Sequence, residues 1–202
     1  IKLDIALIKS SQSNGTITDE KLRSLMEGMP MMKNWRLLIN GLLDDGAKVA
    51  IVSGGLQQTA KDIAAQFPSS KPWSRRWGGI DRFTAGRFGE GYDSKLSVFT
   101  NGWLRGKRNS NGNYEVDDFG RYQVQMNGKG AIVKMLQRRY GISKAKTASV
   151  GDSAGDIGMF QESALAICFN PWDKKPLEYC DEVVEQKDLA IVLDKITTKF
   201  SK

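Results

Sequence analysis

The chain has 202 residues, 30 Lys and Arg against 23 Asp and Glu, a formal charge of +7, and no histidine. Histidine triads, HExxH zinc sites and histidine general bases are therefore excluded, which leaves carboxylates, lysine, hydroxyls or an oxygen-bound metal to carry any chemistry. No run of 18 apolar residues occurs, so no transmembrane helix and no membrane partner are expected, while the basic balance suits an anionic one.

The length fits one domain of ordinary size with a small appendage. TDEKLRSLMEG, from Thr18 to Gly28, reads as a helix: a cap residue, early acids, then Leu22, Leu25 and Met26 at helical spacing. A second helix is expected from Pro30 to Asp45, with Leu37, Leu38, Leu42 and Leu43 on one face and Gly46 as its stop. Lys48–Val52 is a short apolar run ending at Ser53-Gly54-Gly55, as a buried parallel strand ends, and a helix follows from Leu56 to Phe67. Residues 68–126 are rich in Gly, Arg, Asn and Trp. Lys95–Leu104 and Tyr114–Met126 read as strands of a β-rich insert, and Asn-Gly at 101–102 and 111–112 reads as two turns. The basic and aromatic residues Trp73, Arg75, Arg76, Trp77, Arg105, Lys107 and Arg108 raise a nucleic-acid reading, which is not preferred because stacking needs an ordered platform.

After Gly130 the text alternates. A helix over 130–140, a strand at 147–150, a helix from 155, a strand at Leu165–Phe169, a helix near 174–180, a strand at Glu182–Val184 and a helix over 187–196 are expected. Such alternation implies an α/β fold, a parallel sheet with helices on both faces, whose ligands sit at the carboxyl ends of the strands. Cys168 and Cys180 are too few for a disulfide framework and lack metal-ligand neighbours. They are expected as buried free thiols, in keeping with a reducing, cytoplasmic compartment.

Three polar groups fall at or near predicted strand ends. Ser53, with Gly54 behind it, offers a hydroxyl and open backbone N–H groups to an oxyanion, although Ser-Gly-Gly also serves as a plain turn. Lys129, in Asn127-Gly128-Lys129-Gly130, opens a helix where its charge opposes the helix dipole at a cost of about 0.3–1 kcal/mol, which suggests that the ammonium faces an anion. Asp152 directly follows a strand and Asp156 lies one turn on, among Gly151, Ser153, Ala154 and Gly155. Two such carboxylates repel unless a cation lies near, and oxygen ligands with room for water suit Mg²⁺; acids at a helix start are also ordinary capping.

In this order the three groups resemble motifs II, III and IV of the haloacid dehalogenase superfamily. VAIVSGG (49–55), NGKG (127–130), GDSAGDIGMF (151–160), AICFNP (166–171) and CDEVVEQKDL (180–189) are most similar to its phosphoserine phosphatase-like branch. The resemblance covers residues 47–67 and 121–196, and departs at Gly155, where that branch often has Asn. It implies a Rossmann-like core over 31–202 with a β-rich insert at about 70–126, and a partial helical cap over 1–30. It also implies a Mg²⁺-dependent phosphomonoesterase acting through an aspartyl-phosphate on a small phosphorylated metabolite. Ser53, Lys129 and Asp156 are then catalytic, Ser53, Gly54 and Lys129 bind phosphate, and Asp152 and Asp156 bind metal. A catalytically silent protein binding a phosphorylated ligand or nucleic acid is the alternative.

The first motif of that family, DxDxT, is not found in the chain. Asp4 has Ala6 where a second acid is needed, and Gln12-Ser13-Asn14-Gly15-Thr16 has amides in place of both acids. Residues 3–32 instead resemble the cap segment that follows that motif, and the chain begins with Ile rather than Met. The nucleophile is therefore expected on a preceding or separate segment, and the sheet edge it leaves to be paired by that segment or by a second copy in a homodimer.

Overall fold

The computed structural model describes residues 7–13, 15–27, 29–68, 95–121 and 124–201. In chain order its main elements are α1 (Asp19–Met26), α2 (Trp35–Asp44), β1 (Ala50–Leu56), α3 (Gln57–Ala65), β2 (Ser97–Arg108), β3 (Tyr114–Arg121), α4 (Lys129–Tyr140), β4 (Ala148–Gly151), α5 (Ile157–Gln161), β5 (Leu165–Phe169), β6 (Glu182–Val184) and α6 (Leu189–Phe200). They fall into two compact units, Ile1–Met29 with Ala50–Val124, and Pro30–Val49 with Gln125–Lys202. β1 and α3, expected with the later strands, group instead with the 1–29 segment and the insert.

The first unit is built on a mixed sheet in the order β1-β2-β3. β1 pairs with β2 in parallel, from Ala50 opposite Ser97 to Leu56 opposite Asn101, with a register shift between Ser53 and Leu56; β2 and β3 pair antiparallel. α1 begins where Thr18 Oγ1 accepts the Lys21 N–H at 3.2 Å, and Asp19 and Glu20 complement the positive end of its dipole. Its buried Leu22 packs with Ile17, Trp103 and Val116 to form the core of the unit. Burying one such large apolar side chain stabilises by about 1.5–3 kcal/mol.

One expected turn is overturned here. Asn101-Gly102 is not a turn but lies buried inside β2, while the second Asn-Gly does turn, with Gly112 at φ 82°. The Asn101 amide explains the difference. Its Nδ2 donates to Gly54 O and to Val124 O, both at 2.9 Å, and its Oδ1 accepts the Val124 N–H at 2.8 Å. The side chain thus serves backbone groups that a turn would have left to water. Of the basic and aromatic residues in the insert, Trp73, Arg75, Arg76 and Trp77 lie outside the described residues. Arg105, Lys107 and Arg108 are on β2, where Arg105 binds the buried carboxylate of Asp19 and, like Arg108, lies over the Tyr114 ring.

The second unit holds a fully parallel sheet in the order β4-β5-β6. Leu165 and Ile167 of β5 face one side, against Val192 of α6 and Leu38 of α2. Ala166 and Cys168 face the other, against Phe160 of α5. This is why LAICF is apolar throughout: a central parallel strand buries both faces. α2 starts at Trp35 rather than at Pro30, after Asn34 in the left-handed region at φ 62°, and Gly46 at φ 77° ends that segment as expected. The helix expected near 174–180 is only one 3₁₀ turn, Lys175–Glu178. Cys168 and Cys180 are bonded as a disulfide rather than present as free thiols, their Cα atoms 5.8 Å apart. That pairing removes the basis on which a reducing compartment was expected. Among the described residues no helix is long and apolar enough to cross a membrane.

Candidate active site

Parallel strands aim their carboxyl ends at one edge of a sheet, and β4 delivers Gly151-Asp152 there. The chain then makes a 3₁₀ turn, Ala154–Asp156, before entering α5. Ser153 and Asp156 form a reciprocal cap around that turn. One Asp156 oxygen, Oδ2, accepts the Asp152 N–H at 3.0 Å, the Ser153 N–H at 3.1 Å and the Ser153 hydroxyl at 3.1 Å. Gly151 is obligatory here, because a Cβ on it would stand 2.4 Å from Asp156 Cγ.

The other oxygen, Oδ1, accepts from Lys129 Nζ at 2.6 Å. The pair is deeply placed, with 13% of the lysine side chain and 3% of the aspartate side chain exposed. Lys129 is the first residue of α4, and its misplaced charge is answered by this carboxylate. Burial pushes the Asp156 carboxyl up, but the hydrogen bond and charge of Lys129 and the amides of Asp152 and Ser153 hold it below the usual carboxylate range. Asp152 behaves oppositely. It is an exposed residue. Partial burial pushes its carboxyl up, the negative charge of Asp156 adds to that, and Lys129 offsets only part of it.

The sequence reading missed the loop after β5. There the Trp172 N–H donates to Asp152 O at 3.2 Å, and Asp173 Oδ2 accepts the Ala154 N–H at 3.1 Å while its Oδ1 accepts from Lys175 N–H at 2.9 Å. An Asp two residues before Lys175 was the available signal, since Asp bonds the backbone two residues on in such turns.

Lys129, Asp152 and Asp156 are therefore brought together. Ser53 and Gly54 belong to the other unit. Ser53 lies within β1, four residues before α3 rather than at a helix start; its hydroxyl accepts the Gly55 N–H at 3.1 Å. Among the described residues no group of three or more His, Cys, Asp or Glu forms a ready metal cage. The donor chemistry still fits Mg²⁺, which needs only one or two carboxylates beside water and phosphate oxygens, and Asp152 is an exposed carboxylate whose charge is disfavoured until a cation approaches. Asp156 has both oxygens engaged.

In α/β sheets of this kind ligands sit at the carboxyl ends of the strands, and that is where β4 places the exposed Asp152, next to the Lys129–Asp156 pair. Residues 117–196 match the model of the haloacid dehalogenase-like hydrolase family. A phosphoserine phosphatase structure in its apo form aligns with 96% of this chain and 78% of its own at a TM-score of 0.66 and 22% identity. A probable phosphoserine phosphatase from Vibrio cholerae aligns over 99% of this chain and 57% of its own at a TM-score of 0.60 and 17% identity. A phosphoglycolate phosphatase of Archaeoglobus fulgidus is 38% identical over 60 residues, 30% of this chain and 27% of that protein. The chain spans about a quarter of that relative's length. Residues 117–196 are thus similar to that family, and the α/β fold of the chain is like that of the solved phosphoserine phosphatase.

Proposed function

We propose that this chain is part of a Mg²⁺-dependent phosphomonoesterase of the phosphoserine phosphatase type. The observation that carries the reading is the Lys129–Asp156 pair set beside Asp152, the carboxylate that follows β4. Asp152 is the residue that would hold the cation. When bound, Mg²⁺ neutralises phosphate charge and orients the phosphoryl group. Asp156, with both oxygens engaged, anchors Lys129 rather than reaching the metal itself. Lys129 then presents a fixed ammonium to the phosphoryl oxygens, so its charge needs no reorganisation as negative charge develops.

The 202 residues contain no Asp-x-Asp pair. The nucleophile is therefore proposed to come from a segment outside them, where a carboxylate attacks phosphorus, the alkoxide leaves with a proton from a second acid, and water hydrolyses the aspartyl-phosphate. The substrate is a small phosphorylated metabolite, and phosphoserine and phosphoglycolate are the first to try. The test is turnover of both by the encoded full-length protein, with and without Mg²⁺. Turnover that Asp152→Asn or chelation abolishes supports the reading. Binding of inorganic phosphate without turnover makes the protein a silent binder instead.

A further inference from the structure

Lys129 and Asp156 stand on different elements, so something must set the distance between them. The glycines beside them do this. An ideal Cβ on Gly130 would lie 2.5 Å from the Gly158 carbonyl oxygen, 2.9 Å from its carbonyl carbon and 3.2 Å from its Cα. In the reverse direction a Cβ on Gly158 would lie 3.3 Å from Gly130 N and 3.6 Å from its Cα. α4 and α5 therefore touch backbone to backbone, and the touching residues are one position after Lys129 and two after Asp156. Backbone cannot swing aside as the end of a side chain can, so any Cβ at Gly130 must push the two helix starts apart.

We propose that the Gly130–Gly158 contact is a positioning element that places the Lys129 ammonium for phosphoryl chemistry, with Gly130 the more demanding of the two. Its catalytic consequence rests on the phosphatase reading; its geometric consequence does not. Local preference argues the other way, since alanine is a better helix former than glycine and Gly130 is the second residue of α4. A glycine kept at a helical position against that preference is explained by close approach. Gly130→Ala lengthens the 2.6 Å Lys129–Asp156 contact and leaves the ammonium free to move. Gly158→Ala, facing a softer 3.3 Å contact, has a smaller effect.

The experiment compares Gly130→Ala, Gly158→Ala and Val133→Ala in the full-length protein. Val133 is a buried residue of the same helix and is not among the atoms that a Cβ on either glycine would meet. The first readout is ¹⁵N NMR of the Lys129 side chain, whose ammonium protons exchange slowly while the ion pair is ordered. Loss of that signal in Gly130→Ala, weakening in Gly158→Ala and retention in Val133→Ala is the expected result. The second readout is kinetic: kcat falls by about 100-fold in Gly130→Ala and by roughly tenfold in Gly158→Ala with KM little changed, the size expected for a misplacement of about 1 Å. A retained ammonium signal in Gly130→Ala overturns the proposal, as does an equal loss in Val133→Ala. If Gly130→Ala does not fold, the Gly158→Ala and Val133→Ala pair decides by the same criterion. If the parent turns over no phosphomonoester while the signal still follows the glycines, the phosphatase reading fails and the positioning stands.

Discussion

Lys129→Met keeps most of the side-chain volume and removes the charge that answers Asp156. Asp156 is only 2% exposed, so the change leaves a buried carboxylate without its counter-ion. Breaking such a pair by deleting one partner costs about 3–5 kcal/mol. Three donors remain on Oδ2, the Asp152 and Ser153 amides and the Ser153 hydroxyl, and they place the expectation at the low end, about 3 kcal/mol. Asp156→Asn sets an NH₂ against either the ammonium or those donors and costs about 2–3 kcal/mol. In the double variant neither group is left charged and buried, so the two losses do not add. The coupling energy from the cycle, measured by urea unfolding followed by far-UV circular dichroism, is expected at about 2 kcal/mol or more. A coupling under about 0.5 kcal/mol, the range of exposed pairs, would refute the claim that this is a buried and structurally demanding ion pair.

Asn101→Leu removes one amide that serves Gly54 and Val124, leaving buried backbone groups unpaired at a cost of about 3 kcal/mol, readable as a lowered urea midpoint without a change in slope. Burial pushes the Asp19 carboxyl up, but the Trp103 N–H, Arg23 and Arg105 together hold it below its ordinary value. Its folded pKa being depressed, Asp19 contributes stability above the unfolded value near pH 4 and loses it as pH falls through the folded value; Asp19→Asn should therefore flatten the acid limb of a stability–pH profile. Asp188, capping α6 and paired with Lys33 and Asn34, is lowered to about 2, so its share fades between about pH 4 and 2, and Asp188→Ala should remove that portion of the same profile. Reduction of Cys168–Cys180, which closes a 12-residue separation, should lower stability by roughly 3 kcal/mol by chain-entropy reckoning, and thiol titration of the unfolded oxidised protein should find no free thiol.

Residue order alone was enough for most of the alternating second half of the chain, the helix expected near 174–180 excepted. β5 runs from Leu165 to Phe169 as the text implies, because a strand buried on both faces must be apolar at every position, while the partly exposed β6, Glu182–Val184, is marked by its place in the alternation and helices announce themselves by caps. The cluster of Lys129, Asp152 and Asp156 was legible for a similar reason: a misplaced charge and a repelling pair of acids are local anomalies that need partners. What no local pattern carries is which distant groups meet. Asn101-Gly102 has the letters of a turn but became strand because Gly54 and Val124 needed its amide. Cys168 found Cys180 because β5 and the approach to β6 lie side by side. Gly130 and Gly158 look like loose helix starts, and only the crossing of α4 and α5 makes them a contact. Propensity acts within a few residues, whereas these choices were made by backbone groups that had to be paired or packed once the sheets had formed.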